Sequence, residues 1–156
     1  MAFCWRKCYS YKVVGICQTF PSFCPERKIL KVSINADAAS MGKAVVEAGS
    51  GIITEKLLKG HLAILFTGHN AERLILGDHS AGCSSDISKA KRIAADMIEQ
   101  LAMGEFVVTT VMDLLKEADK TATDVLNKNK ERLIKIAELL CERETILGNE
   151  LVKDFY

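Results

Sequence analysis

The sequence predicts a mainly α fold, α+β in class, with a small β element near the N-terminus. Three observations carry that prediction. The first 28 residues are irregular, with Pro21 and Pro25 bracketing SFC. A short segment, KILKVSI at 28–34, alternates apolar and polar residues closely enough to be a strand. From residue 53 onward the apolar residues recur at helical spacing.

Taken in order, GKAVVEAG at 42–49 is a second short strand candidate. The segment 53–78, ITEKLLKGHLAILFTGHNAERLILGD, predicts a helix with Thr54 as N-cap and Gly77 as its stop. A second helix is expected over 84–101, ending before Met103 and Gly104, and a third over roughly 106–127. In the fourth, 129–144, Leu133, Ile136, Leu139 and Leu140 share one face, and Lys130, Glu131, Lys135 and Glu142 lie on others. That stripe is a core face and no cofactor box. The terminal TILGNELVKDFY is expected to add a short helix capped by Thr145. Nothing divides the chain, so residues 1–156 are expected to form a single domain: the irregular segment 1–28, the short strands and the helical part 53–155.

At 156 residues the chain can bury roughly two-thirds of its unfolded surface. A formal charge of +1 gives no electrostatic reason to bind nucleic acid. No apolar run approaches the ~20 residues of a membrane span. The expectation is a soluble protein of the cytoplasm or another reduced intracellular compartment, since the N-terminus lacks the pattern of a secretory signal. Cys4-x3-Cys8 followed by Cys17-x6-Cys24 offers a possible four-thiolate zinc site, on which the chain would be a stable scaffold with an N-terminal structural zinc, although neither pair has the tight CxxC form.

Most active-site patterns are missing. The single Gly-Lys pair, Gly42-Lys43, is followed by Ala44, so there is no phosphate loop and no ATP-binding module. No HExxH and no GxSxG occurs. His61 and His69, eight residues apart on one helix, diverge by about 80° and would not close around one ion unaided. Asp86 follows the small-residue turn Gly82 to Ser85. An acid in the first turn of a helix is favoured by the free N–H groups there, and a carboxylate so presented can also ligate a metal if partners arrive from elsewhere.

Three segments in order resemble the FtsH-type zinc metallopeptidase domain, the proteolytic half of membrane-anchored AAA+ proteases. In ILFTGHNAERLILGDHSAGCSSDISKAKRIAADMI, Gly68, Ala71 and Glu72 match one family pattern, and Gly82, Ser84 and Asp86 match its Asn-Asp turn. In NKERLIKIAELLCERETILGNEL, Asn129, Leu139, Leu140, Glu142, Glu144, Thr145, Gly148, Glu150 and Leu151 match the closing pattern. KILKVSI is similar to the family's His-Lys-Val-Thr-Ile strand, and Tyr11 also matches. The resemblance, over about residues 10–153, implies an FtsH peptidase-like helical bundle.

It also implies a zinc site whose parts have changed. Counted back from the strand, the family's His-Glu-Ala-Gly-His motif falls on Lys12-Val13-Val14-Gly15-Ile16. Lys12 and Ile16 stand at the two ligand positions, Val13 at the general-base position, and Asp86 at the third ligand position. The resemblance thus implies a catalytically inactive homologue with no catalytic residues and no bound zinc, serving as an interaction or regulatory module. Lys12 is expected to reach Asp86 as a salt bridge in place of the ion. The alternative is an active metallopeptidase with displaced ligands, drawn from His61, His69 or the cysteines together with Asp86. The family's long excursion after Met103-Gly104 is shortened here to GEFVVTTVMDLL, which bears on substrate binding. A protein partner or a homo-oligomer is expected, because peptidase domains of this family form rings.

Overall fold

The computed structural model describes residues 28–34, 42–47, 51–104 and 109–155, with the side chains of residues up to 151. Lys12, Val13, Ile16 and the four N-terminal cysteines lie outside the described residues, and so does the expected Lys12 to Asp86 contact.

Three strands and five helices make up the described fold. Strand β1 is Ile29–Ser33 and β2 is Lys43–Val46. Helix α1 is Glu55–Leu76, followed by a 3-10 turn at Ala81–Cys83 and then α2 at Ser84–Glu99. Helices α3 and α4 span Val111–Lys128 and Lys130–Arg143. Strand β3, Thr145–Leu147, leads into α5, Gly148–Phe155. The predicted mainly α class with a small β element is therefore the fold.

Helix boundaries follow the local chemistry. Thr54 is extended and its hydroxyl accepts from Leu57 N, while Gly77 at φ 73° takes the left-handed conformation that ends α1. The third helix starts at Val111, later than the expected 106, because Thr110 and Asp113 form a reciprocal capping box. Asp113 Oδ2 accepts from Thr110 N at 2.9 Å, and Asp113 N donates to Thr110 Oγ1 at 3.2 Å.

The C-terminal expectation needs correction. Thr145 is a strand residue and not a helix cap, and the helix begins at Gly148. The sheet order is β2-β1-β3, antiparallel throughout, so β1 lies between its sequence neighbour and the last strand. Ile146 is fully buried opposite Val32. Ser33 Oγ lies 3.2 Å from the Glu144 carbonyl, to which it donates, and 3.0 Å from Thr145 Oγ1. Burial of Ile146 outweighs the capping preference of Thr145, which decides for strand.

The core has two parts. Around the sheet, Val32, Ile34 and Ile146 pack with Leu126, Leu133, Ile136, Leu140 and Leu151. Of the α4 stripe, Leu133, Ile136 and Leu140 are buried and Leu139 is half-buried. The second part joins Leu62 of α1 to Ala90, Ala94 and Met97 of α2 and to Leu114 and Ala118 of α3. Gly60, Ala63, Thr67, Gly68 and Ala71 are buried along α1, a run of small residues that lets neighbouring helices approach closely. Thr67 satisfies its hydroxyl within the helix by donating to the Ala63 carbonyl at 2.9 Å.

Candidate functional site

The helix-turn-helix from Gly68 to Asp86 is the candidate site, and a buried carboxylate holds it together. Glu72 is 1% exposed at the end of α1. A carboxyl group so deep in the fold requires hydrogen-bond partners. Ser80 supplies two: its backbone N–H at 2.6 Å from Oε2 and its hydroxyl at 3.1 Å from Oε1. The same hydroxyl accepts from Gly82 N at 3.3 Å and so caps the 3-10 turn. Through this chain of contacts the end of α1 fixes the start of α2.

Asn70 ties the same stretch to α3. Its amide nitrogen lies 3.1 Å from the Asp119 carbonyl, 2.8 Å from Asp119 Oδ1 and 3.1 Å from Thr123 Oγ1. Two amide hydrogens facing three acceptors imply one shared bond. Neither Asn70 nor Glu72 could be given these roles from sequence. The available signal was a pair of polar residues, Asn70 and Glu72, flanking Ala71 on an otherwise small-residue stretch of α1.

Asp86 occupies the first turn of α2, mostly buried, with Lys89 Nζ 3.9 Å from its Oδ1. Cys83, the N-cap residue, makes no side-chain cap bond. A carboxylate in the first turn complements the helix dipole. Of the four positions that the resemblance assigns to the zinc site, Asp86 is the one within the described residues.

His61 is exposed on α1. His69 packs edge-on against His79, with ring centres 4.2 Å apart and planes at 65°. Burial, then the nearby His79 and Arg73 charges, hold the His69 imidazole below its ordinary pKa, against an opposing pull from Asp119 and Glu72. Among the described residues, no three His, Cys, Asp or Glu side chains come together in a way that could hold a metal ion.

A shallow cleft opens elsewhere, between Glu55 and Lys59 of α1 and Leu114, Glu117 and Thr121 of α3. Lys59 Nζ sits 3.2 Å from Glu55 Oε1 and 3.4 Å from Glu117 Oε2. The bond to Glu55 is the chief reason that its ammonium titrates above the ordinary lysine value. Asp86 does not line this cleft.

The sequence profile of peptidase family M41 matches residues 22–112, more than half of the chain. The chain belongs to peptidase family M41. The match takes in β1, β2, α1, α2 and Asp86, and starts beyond positions 12 to 16. Among similar M41 proteins, "ATP-dependent zinc metalloprotease FtsH 2" of Sphaerobacter thermophilus is 29% identical over 94% of this chain and 26% of its own length. "ATP-dependent zinc metalloprotease FTSH 1, chloroplastic" of Arabidopsis thaliana is 28% identical over 68% of this chain and 20% of its own length. "ATP-dependent zinc metalloprotease FtsH" of Streptobacillus moniliformis is 30% identical over 63% of this chain and 18% of its own length. The chain thus spans about a fifth to a quarter of these M41 relatives. No helix among the described residues is long and apolar enough to cross a membrane.

Proposed function

We propose that this chain is a catalytically inactive member of the M41 family that serves as an interaction or regulatory module. One observation carries the reading: Lys12, Val13 and Ile16 stand where the family resemblance places two zinc ligands and the general base. An ammonium group repels a divalent cation, and an isoleucine side chain has no lone pair to give it. Valine cannot take a proton from water. This donor set does not fit zinc, and a metallopeptidase needs both the Lewis acid and the proton acceptor.

Asp86 is compatible with the reading, because a first-turn carboxylate has a helix-stabilising role without an ion. The two hydrogen bonds from Ser80 to Glu72 give the turn that presents Asp86 a structural anchor of its own. A peptidase with displaced ligands would draw on His61, His69 or the cysteines together with Asp86. Among the described residues no three such side chains come together, and His69 is engaged with His79.

What remains is a well-packed M41 scaffold, suited to docking on a protein partner or on copies of itself. Incubation with unfolded casein, with and without a chelator, tests the catalytic half of the reading. The expected result is no cleavage. Chelator-sensitive cleavage that persists through repurification overturns it. Light scattering tests the assembly half, with a mass above that of the monomer expected.

A further inference from the structure

We propose that the contact between the His69 and His79 rings is a proton-operated latch on the turn from α1 to α2: it admits one proton, and a second drives the rings apart and loosens the turn. His69 stands on α1 and His79 in the segment after Gly77, yet their ring centres lie 4.2 Å apart with the planes at 65°. Edge-to-face packing suits two neutral rings. A single proton leaves a cation beside a neutral π system, which is tolerated. Two imidazolium rings at this distance repel each other. Histidine is the side chain whose ordinary change of charge falls between about pH 5 and 8.

The contact bears on the turn because neighbouring residues hold both. Gly77 N donates to the Arg73 carbonyl at 3.0 Å, and Ser80, next to His79, donates its N–H and its hydroxyl to the buried Glu72. Glu72 and Arg73 follow His69 by three and four positions and so share its side of α1. Pushing the His79 ring away from His69 therefore pulls on Ser80, whose hydroxyl also caps the 3-10 turn leading into α2. The surroundings disfavour a proton on His69. Burial, then His79, then Arg73 lower its pKa, against Asp119 of α3 and Glu72 of α1, which raise it. His79 is half exposed, with the Asp78 carboxylate 3.9 Å from its Nδ1, so solvent protons reach the pair from that side. His69 takes up a proton less readily in the folded chain than in the unfolded one. Its contribution is thus fully present above the ordinary value of 6.5 and is lost as pH falls through the lowered folded value.

The test follows the His69 ring signals and the Ser80 amide of the full chain by NMR between about pH 5 and 8. H79Q changes an exposed side chain, leaves Glu72 and Ser80 in place, and guards against misfolding of H69Q. In H79Q, His69 is expected to titrate at higher pH than in wild type. Protection of the Ser80 amide against hydrogen exchange, corrected for the intrinsic pH dependence of exchange, should fall by about fivefold in wild type as pH drops across the His69 transition. In H79Q and H69Q it should stay level, and H61Q should behave as wild type. An unchanged His69 midpoint in H79Q overturns the coupling of the two rings. Ser80 protection that stays level in wild type, or that falls equally in H79Q, overturns the latch.

Discussion

The Glu72 carboxylate receives two hydrogen bonds from the single residue Ser80, one from its backbone and one from its side chain. Both partners act across the turn that separates α1 from α2. Replacing Glu72 by Ala removes the acceptor, strands the Ser80 N–H and leaves a void at a side chain that is 1% exposed. The expected cost is about 2–4 kcal/mol. Glu72→Gln keeps one acceptor oxygen and should cost less. Urea unfolding of both variants decides the point, and equal losses would show that only volume matters there.

Gly148 opens α5 against the backbone of β1. A Cβ at this position would collide with the Ile29 carbonyl and press on Leu30 Cα. Backbone atoms cannot swing aside as a flexible side chain can. Gly148→Ala is therefore expected to destabilise by at least about 2 kcal/mol. Gly51→Ala, where no described residue lies within 4 Å of the added Cβ, is the control and should change the unfolding midpoint little.

Much of the fold was legible because it rests on local signals. Thr54 and Gly77 mark α1 by cap chemistry, and Leu133, Ile136 and Leu140 mark the buried face of α4 by period. Thr145 misled because a cap preference is local, whereas the pairing of Ile146 with Val32 joins residues over a hundred positions apart. The start of α3 was misplaced because the apolar pattern runs on through residues 106–108, and only the Thr110 to Asp113 reciprocity sets the boundary. At the candidate site, Asp86 could be placed at a helix start from sequence. The roles of Glu72 and Asn70 and the meeting of His69 with His79 depend on a turn geometry that no spacing rule encodes.

The capping box gives a pH signature. Hydrogen bonds from the Thr110 hydroxyl, then its backbone N–H, hold the Asp113 carboxyl below its ordinary value of 3.8. A carboxyl depressed in the folded state binds protons less readily there than when unfolded. Its contribution is fully present above pH 3.8, and is lost as pH falls through the lowered folded value. Asp113→Asn should flatten that part of the acid limb of stability against pH. Thermal melts of wild type and variant between pH 2 and 5 check this, and identical acid limbs would refute it.

Restoring the donor set offers a constructive test of the non-catalytic reading. With Lys12→His, Val13→Glu and Ile16→His combined, one additional equivalent of zinc should bind, and that equivalent should vanish when Asp86→Asn is added. Casein cleavage should stay low, because the resemblance implies that the family's long excursion after Gly104 is shortened here. Brisk proteolysis by the restored variant would show that the excursion is dispensable.

The placement of β1 between β2 and β3 bears on how the molecule is made. Until residues 145–147 arrive, β1 has β2 on one side and an open edge on the other. The Ser33 hydroxyl waits for a carbonyl 111 positions downstream. During synthesis the α1, α2 and α3 cluster can assemble first, from segments nearby in sequence. The sheet cannot close until the last part of this stretch has left the ribosome. A nascent chain stalled before Ile146 would carry a helical half already packed and an unsealed strand beside it, the form most exposed to pairing with a neighbour.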